Sequence, residues 1–370
     1  MLKVMSVLGT RPEGVKMAPV IKELTRRAGD LHAVVCVTGQ HREMLNQVLK
    51  LFDIHPDIDL NLMQPGQRLS DLTARILTAM DDVIQREKPD WILVQGDTTT
   101  VMAASLAAFY HRVKVGHVEA GLRSGDKYRP FPEEINRRIA DVLSDLYFAP
   151  TETSRDNLLR ENVPAEKIVV TGNTVIDALL DVAGRVDEAP VRALVPHLGN
   201  KRLILVTSHR RENFGEPFRD ICRALRDVAV KYDDAHIVYP VHYNPNVKDP
   251  AREMLGDVPN ITLTEPVDYL TIVALMKRAH FIMTDSGGIQ EEAPSLGKPV
   301  LVLREVTERQ EVVAAGAAKL VGSDYRLIMA EASRLMDDSM EYARMASIFN
   351  PYGDGQASRR IVDAIVAARA

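Results

Sequence analysis

The sequence predicts an α/β protein built from two doubly wound parallel-sheet domains. Short apolar runs alternate with amphipathic segments along nearly the whole chain, the pattern of parallel strands buried on both faces and wound with helices. The alternation lapses between 174 and 199 and then restarts, so the rhythm is that of two sheets. Polar residues gather just after the apolar runs, where open α/β sheets bind ligands.

In chain order, Val4–Leu8, Ala33–Thr38, Trp91–Gln95, Lys114–Glu119 and Leu146–Ala149 read as strands, with helical patterns such as Met17–Arg27 and Ser70–Arg86 between them. Thr174–Gly199 reads as a helix followed by a turn-rich bridge containing Pro190, Pro196 and Gly199. The rhythm resumes with strands at Leu203–Thr207, Ala235–Pro240, Ile261–Leu263, His280–Thr284 and Val300–Leu303. Asn350–Gly355 breaks the chain before a last helix, Ala357–Ala368. The expected domains are therefore 1–175 and 176–355, with 356–370 as a terminal helix packing back across the junction.

Composition narrows the function classes. The 370 residues suffice for two full cores, and 46% hydrophobic with 26% charged residues is the balance of a globular protein. A net charge of −5 gives no basic footprint for nucleic acid or an anionic membrane. Two cysteines, Cys36 and Cys222, suggest neither a disulfide framework nor a zinc cluster, and no metal site is expected. The start has no signal-peptide pattern and no apolar run is long enough to span a bilayer, so a cytoplasmic protein is expected.

The stretch Phe281–Leu303 reads as strand, small-residue turn, helix, loop and strand. Amides that open a helix lack intrahelical acceptors and carry partial positive charge, which suits Ser286, Gly287 and Gly288 to a phosphate. Glu292, about one turn further on, suits a ribose diol; the alternative is an ordinary turn with a surface glutamate. The first strand is followed by Gly9-Thr10-Arg11-Pro12-Glu13, which is not the Gly-x-Gly-x-x-Gly of a dinucleotide fold. The second ends in Thr38-Gly39-Gln40 without an acid for the ribose, and NAD is disfavoured. Arg11 and Lys16 are candidate phosphate ligands, or solvated cations at a helix start.

Asp97, Glu119 and Glu133 follow successive elements of the first half. Asp97 taken alone reads first as a helix N-cap, and Glu133 as a first-turn acid in an i,i+4 pair with Arg137, like Glu134 with Arg138. Three acids leaving one sheet edge, with cations at hand, point instead to proton transfer. In the second half His209, beside Arg210 and Arg211, and His242 end successive strands, while Glu308-Arg309 offers a charged pair near the nucleotide-like turn.

Gly9-Thr10-Arg11-Pro12-Glu13, Gly96-Asp97-Thr98-Thr99, His117-Val118-Glu119-Ala120-Gly121-Leu122-Arg123, Pro130-Phe131-Pro132-Glu133-Glu134, Thr171-Gly172-Asn173-Thr174, His209-Arg210-Arg211-Glu212-Asn213 and Thr284-Asp285-Ser286-Gly287-Gly288 together resemble the bacterial non-hydrolysing UDP-N-acetylglucosamine 2-epimerases. The likeness runs from the first strand to Asn350–Gly355. It implies a GT-B-like architecture of two Rossmann-like domains with a cleft between them, and a homodimer. It also implies interconversion of UDP-GlcNAc and UDP-ManNAc through 2-acetamidoglucal and UDP, without metal or cofactor. On this resemblance Asp97, Glu119 and Glu133 handle protons and His209 stabilises or protonates the leaving UDP. Arg11, Lys16, Arg137 and Arg309 contact substrate, with Ser286, Gly287, Gly288 and Glu292 on phosphate and ribose.

The chain departs from the family pattern at Gln310, Val267 and Ile272. Some members bind a second UDP-GlcNAc as activator; Gln40 and His242 match that site, whereas Glu43 and Gly66 do not, which leaves regulation open. Two other functions share many of these motifs: a hydrolysing epimerase that releases N-acetylmannosamine and UDP, and a UDP-sugar sensor without catalysis.

Overall fold

The computed structural model describes residues 1–39, 42–64 and 66–368. The chain divides into two compact units, one formed by Met1–Ala178 with Tyr352–Ala370 and the other by Leu179–Pro351.

The first unit is a sheet of β1 (Leu2–Leu8), β2 (Leu31–Val37), β3 (Ile58–Asp59), β4 (Trp91–Gln95), β5 (Lys114–Val118), β6 (Leu146–Ala149) and β7 (Ile168–Val170). Every pairing is parallel and the order is β3-β2-β1-β4-β5-β6-β7. The order reverses between β1 and β4, the switch point where doubly wound sheets open a crevice. β4, the sheet's centre, is buried at all five residues, and Trp91, Ile92, Leu93 and Val94 supply apolar side chains to both faces. The second unit repeats the plan with β8 (Arg202–Thr207), β9 (Ala235–Pro240), β10 (Ile261–Thr264), β11 (Ala279–Thr284), β12 (Val300–Val302) and β13 (Ala318–Leu320), all parallel in the order β10-β9-β8-β11-β12-β13. Its switch point lies between β8 and β11.

Three strands were not legible in the sequence: β3, β7 and β13 are two or three residues long, too short for alternation to register. The bridge holds a short helix, Ala189–Leu194, opened by Pro190. The first helix is Arg11–Arg26, starting well before Met17, because Pro12 fits the first turn and Glu13 satisfies its open amides.

The last helix, Ala357–Ala367, belongs to the first unit and lies against Arg11–Arg26, where Arg27 Nη1 meets Asp363 at 2.6 Å. Its N-terminus is capped from far away in sequence. Asp177 accepts the amides of Ala357 (3.1 Å) and Ser358 (2.8 Å) and the Ser358 hydroxyl (2.6 Å). Beside this cap the Asn173 amide donates to the Tyr352 carbonyl at 2.7 Å, joining the two strands of chain that bound the second unit.

Candidate functional site

In the first unit the chemistry collects at the carboxyl ends of β1, β4 and β5. Glu119, one residue beyond β5, is 8% exposed and has φ +69°, a left-handed conformation that costs a non-glycine residue roughly 1–2 kcal/mol. Surrounding bonds fix it there. The amides of Glu119 and Ala120 both donate to the Phe148 carbonyl, at 3.0 and 3.1 Å. The carboxylate accepts from Lys16 Nζ (2.5 Å) and Asn173 Nδ2 (3.0 Å) through Oε1 and from Gln95 through Oε2. Gly121 follows with φ +83°, and a side chain there would collide with the Ser154 carbonyl, so glycine alone lets the loop pass.

Asp97 leaves β4 beside this pocket. It does not cap the next helix: Thr98 is the N-cap, accepting from the Val101 amide at 3.4 Å. The Asp97 carboxylate is free to take Arg137 Nη2 at 2.5 Å, while Asn136 Nδ2 holds its backbone carbonyl at 3.0 Å. Burial pushes the Asp97 carboxyl up, Arg137 and Lys16 pull it back and the Glu119 charge adds to the rise, with a net upward shift. Two carboxylates and two cations therefore interact here. Arg137 was expected to pair with Glu133; it reaches instead to the partly buried Asp97 and the buried Glu134 (3.4 Å), because a buried guanidinium needs acceptors at hand. Glu134 pairs with Arg138 at 3.0 Å, as its spacing indicated. Glu133 opens the helix Glu133–Leu143, half-buried and one turn before Arg137, and has no ion-pair partner among the described residues. Arg11 is exposed at the first position of its helix, whereas Lys16 is committed to Glu119.

In the second unit the organising residue is Asp285, fully buried after β11. Its Oδ2 accepts the amides of His209 (2.7 Å) and Arg210 (2.8 Å), the Ser208 hydroxyl (2.9 Å) and Asn213 Nδ2 (3.3 Å). Its Oδ1 accepts no hydrogen bond and lies 3.5 Å from His209 Nδ1. The His209 ring is accessible on its other side and stacks on His242, with centroids 5.5 Å apart and planes at 17°. Burial lowers the His209 pKa below its ordinary 6.5, with His242 and Arg210 in the same direction and Asp285 opposing. His242 is thus a neighbour of His209. Gln40, its expected companion, lies outside the described residues.

Gly287 and Gly288 open a six-residue helix, Gly287–Glu292, so their amides have no intrahelical acceptor, but the Ser286 amide donates to Thr284 Oγ1 at 2.9 Å. A Cβ at 287 would stand 3.1 Å from the Arg309 guanidinium carbon, which packs on the bare turn while Arg309 Nε donates to Glu291 at 2.8 Å. Glu292 ends that helix, buried, and accepts from the Tyr269 hydroxyl at 2.9 Å. Glu308 is only 4.0 Å from Arg309 and pairs mainly with Arg304 at 2.7 Å; burial opposes its ionisation, yet Arg304 holds its carboxyl down at about 2. Among the described residues no cluster of three His, Cys, Asp or Glu side chains could hold a metal, and no helix is long and apolar enough to cross a membrane.

The model of the UDP-N-acetylglucosamine 2-epimerase family matches residues 22–366. The chain belongs to this family. It is 56% identical to the UDP-N-acetylglucosamine 2-epimerase of Salmonella typhimurium, over 100% of its own length and 99% of that protein's. Among solved structures it is similar to the Neisseria meningitidis UDP-GlcNAc 2-epimerase bound to UDP-GlcNAc, at 50% identity and TM-score 0.89 over 99% of this chain and 100% of that one. The Methanocaldococcus jannaschii UDP-GlcNAc 2-epimerase, solved in complex with UDP-GlcNAc and UDP, matches at 34% identity and TM-score 0.79, over 99% of this chain and 100% of that one.

Several residues around the site of this family member had no role in the sequence reading. Glu13 accepts the amides of Gly9 (2.7 Å) and Thr10 (2.5 Å) and the Thr98 hydroxyl (2.6 Å), tying the turn after β1 to the residue next to Asp97. The Thr10-x-x-Glu13 capping-box spacing was the available signal. Asn173 and Asp285 stood in the quoted motifs without a role, and Gln95 and Tyr269 gave no signal, since each acts on a partner distant in sequence.

Proposed function

We propose that this epimerase-family chain reversibly converts UDP-N-acetylglucosamine to UDP-N-acetylmannosamine, by elimination of UDP to 2-acetamidoglucal and re-addition. The observation that carries the reading is Glu119. A carboxylate held in a strained backbone conformation, ringed by donors and electrostatically coupled to Asp97, is arranged for proton transfer rather than for stability.

The C2 proton of a hexosamine is not α to a carbonyl, so removing it alone gives an unstabilised carbanion. Elimination avoids this. A base takes the C2 proton, the C–H pair becomes the C1–C2 double bond, and the C1–O bond breaks with its electrons leaving on UDP. A UDP oxygen then returns to C1 while a proton is delivered to C2 on the opposite face. The cycle is redox-neutral and balances with acid and base groups alone. Asp97, Glu119 and Glu133 are assigned the proton transfers, and Lys16 and Arg137 pair with Glu119 and Asp97. His209, whose backbone amide Asp285 holds, is assigned to the departing diphosphate; Arg11 and Arg309 supply charge, Gly287 and Gly288 supply amides, and Glu292 takes the ribose. Lys16 in this reading acts on Glu119, where the sequence had suggested phosphate.

The test is proton NMR of UDP-GlcNAc incubated with the protein in D2O. Accumulation of UDP-ManNAc with deuterium at C2 of both epimers is expected. Release of N-acetylmannosamine and UDP would replace this reading with hydrolysis. Binding without exchange, even on adding fresh substrate as a possible activator, would leave a sensor.

A further inference from the structure

His117 is fully buried on β5, two residues before Glu119, and no step above uses it. Its ring nitrogens have different partners. Nδ1 lies 2.6 Å from Asp141 Oδ1 and Nε2 lies 2.7 Å from the Gly96 carbonyl oxygen. A carbonyl can only accept, so Nε2 carries a proton. Asp141 also accepts from Arg123 Nη2 at 2.7 Å and from the Gly121 amide at 3.4 Å, the surroundings of an ionised acid, so Nδ1 donates as well. The ring is an imidazolium sealed from water. Burial alone would lower the His117 pKa, but the Asp141 charge and both hydrogen bonds raise it above 6.5; Asp141 in turn is held below its ordinary value by His117 and Arg123 against its own burial.

The acceptor on the far side is the informative one. Gly96 immediately precedes Asp97 and has φ +80°, so the orientation of its carbonyl sets the peptide plane from which Asp97 departs. The other side of Asp97 is held through its own carbonyl by Asn136. We propose that His117, as a buried imidazolium clamped between Asp141 and the Gly96 carbonyl, is a positioning residue that fixes the Gly96–Asp97 peptide and so aims the Asp97 carboxylate. The proposal rests on the epimerase reading for what Asp97 does. The clamp itself is a property of the free protein. Asp141 sits in the helix Glu133–Leu143 that also supplies Asn136 and Arg137, so one helix holds the Asp97 backbone directly, its side chain directly, and its peptide plane through His117.

The two nitrogens separate positioning from mere packing. Gln places an amide where Nε2 stood and keeps a donor for Gly96; Asn places one near Nδ1 and keeps only Asp141. H117N is expected to lose about 100-fold in kcat with KM within a few-fold, the penalty of a reacting group displaced by about 1 Å. H117Q is expected to recover most of that loss, although both variants are less stable than wild type because the buried Asp141 has lost one of its two cations and keeps only Arg123. Equal kcat in folded H117N and H117Q, or kcat in H117N within threefold of wild type, would overturn the proposal. A second measurement needs no turnover. With 15N-labelled histidine, the free wild-type protein should show one ring, absent in H117Q, with two slowly exchanging N–H groups and both nitrogens at imidazolium shifts. Absence of any such doubly protonated ring would overturn the proposal even if both variants failed to fold. If wild type shows the imidazolium but no epimerisation, the function reading fails and the clamp stands.

Discussion

Glu119 is the residue at which backbone cost and chemistry meet. At an ordinary buried position glycine is less stable than alanine, but at φ +69° the order should invert, with Glu119→Gly more stable than Glu119→Ala by about 1 kcal/mol. Denaturant unfolding of the two variants checks this, and the usual order would mean the conformation is not adopted in solution. Neither should turn over substrate. Asp97→Asn keeps the shape of the side chain and removes its proton chemistry, so kcat should fall by about 100- to 10,000-fold with UDP-GlcNAc binding retained. Intact turnover would remove Asp97 from the mechanism. His209 provides a test by pH. Its folded pKa is depressed, so in the free protein its NMR titration midpoint should lie below 6.5 and the ring should be mainly neutral at pH 7. A bound diphosphate favours the cation, so saturating UDP should move the midpoint upward. An unchanged midpoint would place the diphosphate elsewhere.

The elements explain why these residues can be held so closely. Each switch point brings the ends of two adjacent strands to one place, β1 with β4 and β8 with β11, and the helices that follow aim their first turns there. Caps are part of that aim. Glu13 closes the first turn of Arg11–Arg26 and bonds Thr98 as well, so the two loops at the first switch point are fixed together. Asp177 does the same for the terminal helix across 180 residues of sequence. Asp177→Ala should lower stability by about 0.5–2 kcal/mol, the ordinary worth of a helix cap. Hydrogen exchange would locate the loss at Ala357–Ser358, and a loss confined to other segments would show that the helix is capped by something else.

For the whole molecule, we propose a homodimer formed through the outer face of Glu133–Leu143. Ile135, Ile139 and Val142 repeat at helical spacing and are exposed, Val142 at 83%, and the adjoining helix ends in exposed Phe109 and Tyr110. We expect wild type to run as a dimer by light scattering and the Ile139→Glu/Val142→Glu double variant as a folded monomer. A dimer of unchanged stability would place the interface elsewhere.

How much was legible in the chain follows from the range of the forces involved. The two parallel sheets, most of their strands and the positions of Asp97, Glu119 and His209 at strand ends could be read from local periodicity, because a buried parallel strand must be apolar and a ligand must meet it at its end. The edge strands β3, β7 and β13 are too short for that signal. Partners were not legible. Glu119 takes its donors from Gln95, Asn173 and Lys16, at separations of 24, 54 and 103 residues, and Arg137 chose Asp97 over the acid four residues before it. Spacing along one helix predicts which side chains can meet on its surface, whereas burial decides which charges must. The sequence by itself determined the architecture and the kinds of side chain delivered to each strand end. Only the tertiary structure decided how they pair, which backbone is strained and which histidine stays charged, because those outcomes depend on desolvation and on groups brought together from distant parts of the chain.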